Sequence, residues 1–141
     1  MQTQTKPKPK LKTLSPQFFG EFLKKFNVEN EEMKKALYLD MKNILMSKRY
    51  IALREREIAL RKKLGELELR VIERVIDKYR LLSPTGKALL KLRVKLEEME
   101  IALNELSKNA YDYRSKFYGK DYDRYLELLD QLKTEMGVGR E

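Results

Sequence analysis

Four lysines, Lys6, Lys8, Lys10 and Lys12, stand at every second position of the stretch KPKPKLK, with prolines between the first three. Ammonium groups without a neighbouring base or nucleophile do one kind of chemistry, the electrostatic binding of anions. The backbone decides how they are presented. Proline fixes its own φ and pushes the preceding residue out of the helical region, so the segment is predicted to be extended, solvated and unable to join a packed core. The first fourteen residues contain no acid. Such an end is commonly a solubilising tail. Cations at alternate positions of an extended chain also come close to the spacing of phosphates, with no demand on base sequence.

Two further clusters repeat the chemistry. Between Lys48 and Lys63 lie Lys48, Arg49, Arg54, Arg56, Arg61, Lys62 and Lys63 against only Glu55 and Glu57. Lys87, Lys91, Arg93 and Lys95 follow with no acid among them. The arm and these clusters carry more than the whole net charge of +9, so the excess is segregated along the chain. An excess of this size favours polyanions, nucleic acid or an anionic membrane surface. The second cluster opposes the helix dipole, which prefers acids at a helix start by about 0.3 to 1 kcal/mol each. Its acids, Glu97, Glu98, Glu100 and Glu105, come later. The inversion suits an anion held by helix-start amides and cations together; the bland reading is that these lysines snorkel over the core and pair with nearby acids.

Other chemistry is poorly supplied. The 141 residues include no histidine and no cysteine, which removes the commonest general acid/base, the usual metal ligands and any disulfide. Neither an enzyme nor a cofactor or metal is expected. Thr85-Gly86-Lys87 matches the end of a phosphate-binding loop, but Leu81 stands where its first glycine belongs and Ala88 replaces the Ser/Thr. Glu97 and Glu98 are adjacent, so on a helix they point in different directions and form no acid pair. There is no zinc-finger spacing, helix-turn-helix signature or RNA-recognition strand motif. No apolar run approaches the ~20 residues of a membrane span. The chain reads as a soluble protein made inside the cell.

The elements that position these groups are all helical, and the expected fold class is an all-α antiparallel bundle of four to five helices with an extended basic arm over 1–14. Leu-Ser-Pro occurs at 14–16 and again at 82–84; in each the Ser can cap free amides while Pro occupies the first helical position. After the first, Phe18, Phe19, Phe22, Leu23 and Phe26 recur at helical spacing, predicting a short amphipathic helix over 15–26. From 30 to 82 there is no proline and only Gly65. Unbroken, that is a helix of roughly 80 Å, so a bend or short turn is expected near Ser47–Tyr50, or else at Gly65. Met33, Leu37, Asp40/Met41, Ile44 and Leu45 form one stripe; Leu53, Leu60, Leu64, Leu67, Val71, Val75, Tyr79 and Leu82 form another, widened by Ile51, Ile58, Ile72 and Ile76. Leu89, Leu92, Leu96, Met99, Leu103 and Leu106 alternate spacings of three and four, the seam of a helix over 84–108. The short link at Ser83–Gly86 makes it antiparallel to its predecessor. A last helix is expected over 120–136, capped by Asp121 and stopped by Gly137.

Five of the eight tyrosines crowd into YDYRSKFYGKDYDRY, from Tyr111 to Tyr125, with both charge signs interleaved. Balanced charge and tyrosine enrichment suit a protein interface first, then core packing, then lipid or nucleic acid. Phe18, Phe19, Phe22, Tyr111, Tyr113, Phe117, Tyr118 and Tyr122 are therefore expected at subunit contacts, and the three basic groups on a sugar-phosphate backbone.

LKTLSPQFFGEFLKKF as arm and first helix, followed by a helical bundle free of Cys and His, resembles the major capsid proteins of filamentous and rod-shaped archaeal viruses. The resemblance spans most of the chain and contains no diagnostic motif. It implies self-association, with a like or paralogous subunit, into dimers of bundles that wrap double-stranded DNA along a filament, a virion location, and for some members contact with a lipid envelope. A nucleoid-associated cytoplasmic protein fits the same residues. The rival class is a helical adaptor or coiled-coil assembly factor whose basic patches meet an acidic protein.

Overall fold

The structure, a computed structural model, describes residues 13–68 and 83–138. The lysine arm and the stripe residues from Val71 to Leu82 lie outside them. The described residues are all-α, with four helices and no strand: α1 Pro16–Lys25, α2 Glu31–Glu68, α3 Pro84–Arg114 and α4 Tyr122–Glu135.

Both Leu-Ser-Pro repeats start helices as their chemistry dictates. The Ser15 hydroxyl accepts from Phe18 N–H at 3.1 Å, and Ser83 accepts from Gly86 N–H at 3.0 Å. Asn30 caps α2 in the same way, accepting from Met33 N–H at 2.9 Å. Helix ends are equally explicit. Asn27 takes φ 53° and Gly137 φ 76°. Val28 N–H then reaches back to Leu23 C=O, and Val138 N–H to Lys133 C=O, the left-handed closure that suits Asn and Gly. Arg124 Nη2 adds hydrogen bonds at 3.2 Å to the carbonyls of Phe26 and Asn27, satisfying the end of α1 from α4.

Three expectations about the elements need correction. α2 runs without interruption through Ser47–Tyr50 and Gly65; good helix formers fill it, and Asn43, one turn before the anticipated break, and Tyr50, at its end, bond across to α3. α3 continues to Arg114, past Asn104, Ser107 and Asn109. Those polar residues are exposed, while Leu106 and Ala110 on the opposite side are buried and hold the added turns in place. Asp121 stands at the N-cap of α4 as expected, its carbonyl accepting from Tyr125 N–H at 2.9 Å, but its side chain makes no capping bond.

The contacts divide the chain into two compact units, Met1–Lys42 with Leu106–Glu141, and Asn43–Glu105. In the first, α1, the start of α2, the end of α3 and α4 bury Phe22, Met33, Leu37, Met41, Ala110, Phe117, Tyr125, Leu132 and Met136. Polar groups sit within this core. Asp40, on the apolar stripe of α2, accepts from Arg114 Nη1 at 3.1 and 3.2 Å and from the Tyr125 hydroxyl. Burial first, then the bond to Asp40, drives the Tyr125 pKa far above the usual phenol value.

The second unit is an antiparallel hairpin of α2 and α3 with Leu64, Leu89, Leu92 and Leu96 inside. Asn43 Nδ2 donates to Leu103 C=O at 3.3 Å, Tyr50 donates to Glu100 at 2.8 Å, and Arg93 meets Glu57 at 3.7 Å. As numbers rise along α2 they fall along α3, which is the antiparallel register. The bond to Glu100 also raises the Tyr50 pKa, with burial and the Glu100 charge adding to it.

Candidate nucleic-acid interface

Glu57 organises the basic residues of the hairpin. It occupies the seam of α2 between Leu53 and Leu60 and is only 3% exposed. Arg54, one turn before it, donates at 2.7 Å; Arg61, one turn after, lies at 3.4 Å; Arg93 reaches it from α3. A buried carboxylate needs such partners. Three guanidiniums on one carboxylate leave a local charge of about +2, but the shared anion holds them to one flank. The sequence puts these arginines with the other cations; the structure separates them.

The remaining cations turn the other way. At about 100° per residue, Arg49, Arg56 and Lys63, spaced by seven, share one line on α2 roughly 150° from Arg54 and Arg61. On α3, Lys91 and Lys95 lie roughly 160° from Arg93 by the same geometry. In an antiparallel pair, positions turned away from Glu57 on each helix meet on one flank. All five of these side chains are exposed, and none makes an ion pair among the described residues. The positions interspersed with them are Ala52 and Ala59, with Glu66 seven further on, and Ala88 and Ala102, with Glu98 seven after Lys91; two acids thus stand among five cations. Lys62 and Lys87 are exposed further around the helices, and Lys48 is half-buried. The hairpin therefore carries a polar flank built on Glu57 and an acid-poor flank of five free cations.

The helix faces between them hold apolar side chains in water. Ile51 and Ile58 on α2, and Leu90, Val94 and Ile101 on α3, are 45 to 60% exposed.

The aromatic expectations divide as well. Phe22 and Phe117 are 2% and 5% exposed. Phe22 packs on Phe26 and Phe117 on Tyr125, so neither is available to another subunit: their positions on the buried side of the first unit consume them. Phe19 packs edge-on against Tyr38, and Phe18 is half-buried and in contact. Tyr113 lies under Lys35 and Lys116. Tyr118 and Tyr122 pack at 4.9 Å. Tyr111 and Tyr118 are strongly exposed, at 65% and 72%.

Asp40 and Glu57 are the residues that the sequence reading missed as organisers. The available signal is phase. Each is an acid on an apolar stripe, and Glu57 has arginines three before and four after it. Among the described residues no group of His, Cys, Asp and Glu could hold a metal ion, and no helix is long and apolar enough to cross a membrane. Comparison with family models, characterised proteins and solved structures gives no match.

Proposed function

We propose that the chain is a structural, non-enzymatic protein that coats nucleic acid without regard to sequence, double-stranded DNA foremost, and assembles with copies of itself as a capsid or nucleoprotein subunit. The observation that carries this reading is the acid-poor flank of Arg49, Arg56, Lys63, Lys91 and Lys95. Unpaired cations in two rows on rigid helices match a phosphate backbone, and such contacts position a protein without reading bases. The arm lysines, Lys6, Lys8, Lys10 and Lys12, add a second set of phosphate contacts.

Self-association is supported by the exposed aliphatic stripes. Ile51 and Ile58 face outward from α2, and Leu90, Val94 and Ile101 outward from α3, so each helix leaves an apolar stripe in water on the side turned away from its neighbour. Spacings of three, four and seven are those by which helices pack on helices. A second copy is the occupant that fits: Lys62 flanks Ile58 and Glu97 flanks Ile101, so the outer side of α2 in one copy laid against the outer side of α3 in the next, a head-to-tail contact, brings unlike charges together beside the isoleucines. Virion or nucleoid location follows from this role.

Titration with random-sequence duplex across a salt series tests the reading. Binding that weakens steeply with salt and is indifferent to sequence supports it. No binding at low salt points instead to an adaptor for an acidic protein.

A further inference from the structure

The tyrosine surface offers chemistry that the basic flank lacks. Tyr111, Arg114, Ser115, Tyr118 and Tyr122 line an open cleft of about 630 Å³ in the first unit, within the roughly 300–1,000 Å³ common for ligand sites. Both hydrogen bonds from Arg114 to Asp40 run through Nη1, which leaves the Nε–Nη2 edge as a donor fork. The Asp40 carboxylate also balances the arginine charge. An anion would therefore gain little net attraction here, whereas a neutral ring with acceptor atoms could use both the fork and the tyrosine faces.

From this geometry we infer that the cleft binds an unpaired nucleobase, stacked on Tyr118 and hydrogen-bonded by the free edge of Arg114. Adjacent acceptors such as O6 and N7 of guanine match the fork. Stacking on exposed tyrosines is tolerant of sequence, and a base inside a duplex cannot enter. The site thus engages single strands or frayed ends, through residues other than those of the duplex-binding flank.

The chain contains eight tyrosines and no tryptophan, so the emission is tyrosine's alone, and the part of its quenching that disappears in Tyr118→Ala reports stacking in the cleft. A random-sequence single strand, added at about 0.3 M salt to weaken phosphate contacts, quenches that emission. Tyr118→Ala weakens single-strand binding roughly 5- to 100-fold; Tyr118→Phe, which keeps the ring, leaves it nearly unchanged. Neither substitution alters affinity for the duplex of the same sequence. Both replace an exposed side chain, and far-ultraviolet circular dichroism confirms that each variant is folded. Single-strand binding that survives Tyr118→Ala, or a loss shared equally by the duplex, overturns the inference. So does an acidic, tyrosine-containing peptide whose binding Tyr118→Ala abolishes while strand binding persists, since that assigns the cleft to a protein. Loss of duplex binding alone bears on the flank and leaves the cleft standing.

Discussion

At the scale of single residues, two buried carboxylates fix where charge can appear on the surface. Asp40 absorbs Arg114 and the Tyr125 hydroxyl inside the first unit. Because the folded Tyr125 pKa is raised, the unfolded chain loses this proton first as pH climbs. Stability is whole below the ordinary phenol pKa and falls above it, by about 1.4 kcal/mol per pH unit from this group. Tyr125→Phe should cost about 1–3 kcal/mol at neutral pH and flatten the decline from pH 10 upward, as urea denaturation at a series of pH values would show. Glu57 does the corresponding work in the hairpin, though its arginines are half-exposed and screened. Glu57→Ala should cost about 1–3 kcal/mol and leave duplex affinity equal or higher. A loss of affinity in the folded variant would show that the Glu57 flank, not the opposite one, meets the phosphates.

At the scale of helices, exposed isoleucines on an otherwise charged hairpin are the feature that asks for a partner. Replacing Ile58 and Ile101 together by Glu should convert an assembling chain to monomers in sedimentation analysis, with helix content intact; an unchanged oligomer would place the contact elsewhere. The helices themselves were largely legible in the sequence. Ser15 and Ser83 announce their caps through a repeated tripeptide, and the three-and-four spacing from Leu89 to Leu106 announces the buried side of α3. What stayed hidden depends on tertiary partners. Nothing local tells that Asn43 and Tyr50 will bond across the hairpin and carry α2 through Ser47. Nor does anything local tell that exposed Asn104 and Asn109 will be overruled by buried Leu106 and Ala110. The basic clusters were visible as runs, but a run has no side; the division between flanks appears only when Arg93 is brought against Glu57.

For the molecule as a whole, the central claim is that the five cations turned away from Glu57 meet a sugar-phosphate backbone. The flank residues are exposed and make no ion pair among the described residues, so their replacement separates binding from folding. The decisive measurement is the slope of log affinity against log salt for random duplex, compared between the native chain and one in which Arg56, Lys63, Lys91 and Lys95 are all Gln. Each phosphate contact contributes about −0.9 to that slope, so the variant should be shallower by about 3 to 4 and markedly weaker at low salt. Equal slopes and equal affinities would contradict the account.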